Sequence, residues 1–234
     1  MTGRRAARHY TRFAGLYDRI ATDAPLVGRL RERIVDRLDP ARGDVVVEMG
    51  CGTGANLPLL RDRVGPAGTV LGLDVSAGVV AHARDRIDRR GWDNVHVARA
   101  DATTAPVAFA DLPRSRSPAG EADAVLGTFV TGMFDDPAGV VDGWCRITGD
   151  GRVCLAGFAR STRPIGRPFN PFFAGLVRAG TPPGRGRGRS ESPVDLLDER
   201  ALAAHRRVHE RCTDATTART LAGFARITAG TVDR

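Results

Sequence analysis

Not one lysine occurs in the 234 residues; all 35 lysine-or-arginine positions are arginine. Without an ε-amino group the chain has no Walker-type phosphate lysine, no Schiff-base nucleophile and no Tyr-x-x-x-Lys pair. Cysteine is sparse too. Cys51, Cys145, Cys154 and Cys212 stand far apart, with no C-x-x-C spacing to hold zinc or run a dithiol exchange. Four reduced thiols and no metal site are expected. No apolar run nears the roughly 18 to 20 residues that span a bilayer. The opening MTGRRAARHYTRFAGLYDRI follows its arginines with no apolar h-region. These absences predict a cytoplasmic protein.

Arginine is plentiful but unevenly placed. Residues 1–42 carry ten arginines against five acids, and 160–190 carry seven against none. Residues 43–159 carry eleven against fifteen, and 191–234 balance at seven each. The net charge of +8 therefore sits in two basic blocks that flank an acidic middle.

The same boundaries divide the chain by pattern. From about Arg4 to Leu38, apolar residues recur at helical spacing, as in Leu26, Leu30, Ile34 and Leu38, and Asp39-Pro40 closes the run. Two helices are expected there. From Asp44 strand and helix patterns alternate. DVVVEM reads as a buried strand, ANLPLLRDRV as a helix and TVLGLDV as a second strand. SAGVVAHARDRIDRRG reads as a helix with Ser76 at its N-cap and Gly91 past its end, and NVHVARAD as a third strand. After a Pro-, Ser- and Arg-rich loop at about 103–120 come strand DAVLGTFV, helix PAGVVDGWCRI and strand GRVCLAGFA. Such alternation gives an α/β doubly wound, Rossmann-like parallel sheet. The expected organisation is one domain: a helical cap at 1–42, a core at 43–159, an arginine-rich insert at 160–194 and a C-terminal unit at 195–234. In that unit 195–206 read as a helix, with RVHERC and LAGFARITAG as two last strands.

The chemistry concentrates in VVVEMGCGTGANLPLL, where Glu48 precedes Gly50, Gly52 and Gly54. The turn also satisfies the G-x-G-x-x-A dinucleotide fingerprint, and Asp74 lies where a ribose-binding acid would. Glu48 decides against a phosphate ligand: a carboxylate about 4 Å from a phosphate is repelled by roughly 4 kcal/mol per charge pair at an effective dielectric of about 20. The same carboxylate attracts a cation.

VVVEMGCGTGA, followed in order by VLGLDVS and ARAD, resembles the class I S-adenosylmethionine-dependent methyltransferases over about residues 44–158. The resemblance implies a seven-stranded, mostly parallel sheet whose seventh strand is antiparallel, and S-adenosylmethionine as cofactor. It implies that Gly50, Gly52 and Gly54 let the backbone approach the methionine and ribose, that Glu48 holds the amino group and that Asp74 accepts from the ribose hydroxyls. Asp101 would take the adenine amino group and Ala102 a ring nitrogen. Cys51, Asn56, Val75 and Thr128 complete the expected cofactor set.

The acceptor leaves fewer marks. No Asn/Asp-Pro-Pro-aromatic follows strand four, and no cysteine follows a proline, so amino-purine and cytosine C5 methylation are disfavoured. HYTRFAGLYDRIA resembles the opening of the ubiquinone/menaquinone-biosynthesis C-methyltransferases and their small-molecule and phospholipid relatives, which implies that Tyr17 and Asp18 border the active site. Phe129 and Phe172 join Tyr17 as candidate acceptor contacts. The lid expected from the N-terminal helices and the post-strand-five insert is basic, which points to an anionic or membrane-associated acceptor. Phe169, Phe172, Phe173, Leu176 and Val177 would supply apolar contact. The reading is a methyltransferase for a small-molecule, quinone-precursor or lipid-like acceptor. Alternatives are an RNA methyltransferase, disfavoured by 6% aromatic content, and a non-catalytic S-adenosylmethionine-binding protein. His9, Tyr10, Tyr17 and Thr128 are all open as a general base.

Overall fold

The computed structural model describes residues 25–104, 121–180 and 192–233. Residues 1–24, where the first of the two N-terminal helices is expected, hold Tyr17, Asp18, His9 and Tyr10 and lie outside the described residues, as does the GRGRGR run. The elements are α1 (Pro25–Leu38), β1 (Val45–Met49), α2 (Leu57–Val64), β2 (Thr69–Asp74), α3 (Ala77–Asp88), β3 (Val95–Arg99) and β4 (Ala124–Thr128). Then follow α4 (Pro137–Thr148), β5 (Arg152–Phe158), α5 (Asn170–Gly180), α6 (Pro193–Arg211), β6 (Thr216–Thr220) and β7 (Ala225–Thr231).

The seven strands form one sheet in the order β3-β2-β1-β4-β5-β7-β6. Strands β1 to β5 pair in parallel, and β7 runs antiparallel between β5 and β6. Every residue of β1 and β4 is buried, as expected when helices cover both faces of a parallel sheet. Side chains alternate between the two faces. Val46 and Leu126 pack with Ile34 and Leu38 of α1, Leu57 and Leu60 of α2, and Ala83 of α3. Val47, Met49 and Val125 pack with Val141 and Trp144 of α4 and Ala204 and Val208 of α6. Trp144, wholly buried, donates its indole N–H to Ala102 O at 2.8 Å. It explains a small residue in β4: a Cβ on Gly127 would come within 2.5 Å of the indole ring.

Three details differ from the sequence pattern. Leu26 is 62% exposed and does not join the buried stripe of Leu30, Ile34 and Leu38, because α1 reaches the sheet only from its second turn onward. RVHERC is not a strand. Val194, Ala201, Ala204 and Val208 keep a helical spacing, so α6 continues to Arg211, and strand six is Thr216–Thr220 instead. LAGFARITAG divides, its first three residues forming a 3-10 turn with Leu221 and Ala222 at positive φ before β7 begins.

The consequence for function lies between β1 and β4. The chain leaves β1 toward β2 and β3 on one side and reaches β4 and β5 on the other. Their adjacent carboxyl ends therefore open a crevice where open α/β sheets bind ligands.

Candidate functional site: a glycine turn over a buried acid

The turn after β1 is tied to the neighbouring strand, since Gly50 N–H and Cys51 N–H both donate to Leu73 O, at 2.7 and 2.9 Å. Gly50, Gly52 and Gly54 all take positive φ, of 70°, 56° and 77°. Space separates their roles. A Cβ on Gly50 would meet Val130 at 2.7 Å and one on Gly54 would meet Leu57 at 2.6 Å, whereas one on Gly52 meets nothing within 4 Å. Gly52 thus turns bare backbone toward open room. Cys51 is buried, its sulfur packed where Gly72 of β2 has no side chain, and burial pushes its thiol pKa well above the usual range.

Asp74 closes the other side of the turn. Its Oδ2 accepts from Gly52 N–H at 3.0 Å and its Oδ1 from Ser76 N–H at 2.9 Å. Ser76 holds the N-cap position of α3, and Gly91 takes φ 60° beyond that helix's end. Burial raises the Asp74 pKa, opposed by these amides. Each oxygen keeps a second lone pair for a further donor.

Glu48 departs from the sequence-based picture of a carboxylate at the mouth of the turn. It is 1% exposed and lies on the face covered by α1 and α2, because its position in β1 shares the parity of Val46. Asn56 Nδ2 donates to Glu48 Oε1 at 2.5 Å, Thr128 Oγ1 donates to the same oxygen at 3.2 Å, and Asn56 Nδ2 also reaches Thr128 Oγ1 at 3.1 Å. Arg31 of α1 completes the network by donating to Asn56 Oδ1 at 2.8 Å. Among the described residues, Glu48 Oε2 is buried without a hydrogen-bond partner. Desolvation dominates its ionisation and, although Asn56, Arg31 and Thr128 pull the other way, lifts the Glu48 pKa to about 7. The carboxyl group is therefore only partly ionised near neutrality, which weakens the repulsion argument drawn from the sequence.

The structure brings Glu48, Asn56 and Thr128 together and joins Gly52 to Asp74. Asn56 commits both donors and one acceptor inside the protein, so its part is to hold Glu48. Thr128 donates to Glu48 and accepts from Asn56, which leaves it poorly placed as a general base. Past β3, Asp101 is exposed and its Oδ1 accepts from Thr103 N–H and Oγ1 at 2.9 and 2.7 Å. Ala102 is buried, and Val75 is 42% exposed.

Of the acceptor candidates, Phe129 stands just after β4 at φ 58° and stacks on Phe158, with ring centroids 4.5 Å apart and planes 7° from parallel. The Arg31 guanidinium lies 6.0 Å from the Phe129 ring centre. Phe172 is 69% exposed on α5 and lines no enclosed site among the described residues. Sequence reasoning missed Arg31 and Phe158. Arg31 had left a signal, being a charge spaced three, four and seven residues before the buried Ile34, Val35 and Leu38.

These residues fit S-adenosylmethionine on two structural grounds. A buried carboxylate oxygen without a partner suits an ammonium donor, and the bare Gly52 backbone admits close approach.

Residues 46–151 match the family model described as a methyltransferase domain. The chain is 34% identical over 149 residues to nocamycin O-methyltransferase of Saccharothrix syringae, covering 63% of this chain and 49% of that protein. It is 34% identical over 110 residues to 2-phytyl-1,4-naphtoquinone methyltransferase of Thermosynechococcus vestitus, covering 42% and 47%. The chain spans about half the length of these two curated relatives. Its fold matches the crystal structure of a SAM-dependent methyltransferase from Aquifex aeolicus with a TM-score of 0.53 at 17% identity, over 87% and 89% of the two chains. Over residues 46–151 the chain is thus similar to the methyltransferase-domain family, and its fold is that of a SAM-dependent methyltransferase.

Proposed function

We propose that the chain transfers a methyl group from S-adenosylmethionine to a small apolar acceptor of quinone-precursor or lipid-like character. The observation that carries the donor assignment is the buried Oε2 of Glu48 beneath the glycine turn, unpartnered among the described residues. When bound, S-adenosylmethionine supplies a methyl group on a positively charged sulfur. Glu48 would hold the amino group and Asp74 the ribose hydroxyls, with the turn backbone between them. Asp101 and Ala102, just past β3, are the remaining candidates for the adenine.

The chain's contribution to transfer is positional: an acceptor held in line at about 3 to 3.5 Å, with water kept out, needs no acid–base pair. The Phe129–Phe158 stack at the carboxyl ends of β4 and β5 supports an apolar, planar acceptor, since aromatic rings offer offset-stacking faces. The relatives named for nocamycin and phytyl-naphtoquinone methylation support a small-molecule acceptor, the latter a quinone-related one.

Calorimetric titration with S-adenosylmethionine and, separately, with NAD tests the donor. Labelled-methyl transfer to hydroxylated naphthoquinones, phospholipid and RNA then tests the acceptor. Binding of NAD alone would overturn the reading of the donor site. Label on RNA would replace the acceptor class, and donor binding with no transfer to any component of a cell extract would leave a non-catalytic binder.

A further inference from the structure

Seven large apolar side chains are notably exposed among the described residues, and four of them, Ile165, Phe169, Phe172 and Leu176, fall within one short segment after β5. Their exposures are 71%, 59%, 69% and 57%. Phe169, Phe172 and Leu176 are spaced three and four residues apart across the 3-10 turn Arg167–Phe169 and helix α5, so they share one side.

The segment is anchored on its other side. Asn170 exchanges hydrogen bonds with the Ser161 backbone at 2.9 and 3.1 Å, and Phe173 packs on Phe224 with ring centres 5.2 Å apart. The apolar face is thus held outward by specific contacts.

Charge selects the occupant. Residues 160–190 carry seven arginines and no acid. Arg160 is taken by Asp195 and Asp198, while Arg163, Arg167 and Arg178 are exposed around the apolar side chains. A second copy of this face would bring like charges together. The basic N-terminal block is no better matched, with ten arginines against five acids over residues 1–42. An apolar face with a basic surround complements a bilayer carrying anionic headgroups, where rings enter the interface and guanidinium groups meet phosphates.

We propose that Ile165, Phe169, Phe172 and Leu176 form a peripheral docking face for anionic lipid bilayers, which sets the crevice at the carboxyl ends of the strands near the membrane. The docking stands on the exposed face alone; only its use in acceptor delivery rests on the proposed function.

The test is sedimentation with vesicles of phosphatidylcholine, with and without phosphatidylglycerol, at low and high salt, using protein with and without nuclease treatment. Binding is expected to the anionic vesicles only and to weaken with salt. Phe169→Gln with Leu176→Gln preserves charge and should lower partitioning by roughly tenfold or more. Arg163→Gln with Arg167→Gln should lower it by a similar factor and flatten the salt response. All four substituted side chains are exposed, and circular dichroism and the thermal midpoint confirm folding. Equal binding to neutral vesicles, no effect of the apolar pair, or sedimentation abolished by nuclease would each overturn the proposal. The last would point to RNA. Because no readout involves methyl transfer, failure here is distinct from failure of the proposed activity.

Discussion

Asn56 donates to Glu48 Oε1 at 2.5 Å and accepts from Arg31 at 2.8 Å, so one neutral amide stands between a buried acid and a buried guanidinium. This spacing leaves Glu48 under-compensated, and its folded pKa of about 7 lies above the ordinary 4.5.

Glu48→Gln is expected to divide stability from function. Below pH 4.5 the carboxyl is protonated in both folded and unfolded chains and contributes nothing to pH dependence. Between pH 4.5 and about 7 the unfolded chain ionises first, so stability falls as pH rises. At pH 8 the variant should exceed the parent by up to about 3 kcal/mol in urea unfolding, the gain vanishing below pH 4.5. Its affinity for S-adenosylmethionine should fall by roughly tenfold to a hundredfold. Parent affinity should tighten severalfold from about pH 6 to 7.5 and the variant's should not. A variant that is no more stable at pH 8 would deny the buried charge.

Arg31→Met removes the cation facing that acid and leaves Asn56 Oδ1 short of a donor. A loss of about 1 to 3 kcal/mol is expected at pH 8, where Glu48 is ionised, and a smaller loss at pH 5. Urea titrations at the two pH values check the difference, which a purely packing role would not produce.

The two strand-end acids should behave unequally. Asp74 is tied into the glycine turn, so Asp74→Ala should weaken cofactor binding by about tenfold to a few hundredfold. Asp101 is exposed and folded onto Thr103, so Asp101→Ala should change affinity less than about tenfold. Calorimetry on both variants decides whether the adenine contact exists.

Gly52→Ala and Gly54→Ala share a positive φ that costs about 1 to 2 kcal/mol for any side chain. Only Gly54 adds a steric clash, with Leu57 at 2.6 Å. Gly54→Ala should therefore lose the more stability in thermal unfolding. Gly52→Ala, pointing into open room, should lose proportionately more cofactor affinity.

His205 sets an opposing acid dependence. It is buried on α6 with Nδ1 on Thr228 at 2.7 Å and Nε2 unpartnered among the described residues. Desolvation, then the nearby Arg226 and His209, hold its pKa down to about 4 from 6.5. The unfolded chain binds the proton first as pH falls. Stability is therefore intact above 6.5 and declines toward pH 4, by up to about 3 kcal/mol. Between pH 4.5 and 6.5 the Glu48 and His205 slopes cancel. Glu48→Gln should thus unmask a steep rise of stability with pH over that window, and His205→Gln the reverse fall.

Much of the sheet was legible because parallel strands buried on both faces must be short apolar runs, as in VVVEM, AVLGT and RVCLAGF. The glycine turn and Asp74 were legible because positive φ and a close backbone approach restrict residue type. The last strands were not, since Thr216–Thr220 is edge-exposed and carries no apolar alternation, whereas RVHER looks extended until the spacing from Val194 is counted.

By itself, then, the sequence determined the strand order's raw material and the glycine turn, because those depend on local backbone limits and residue chemistry. Only the tertiary structure decided that Glu48 is buried with its pKa raised to about 7, that Arg31 faces it through Asn56, and that Phe172 is exposed. Desolvation and charge pairing depend on which distant segments cover a residue, and no local pattern records that.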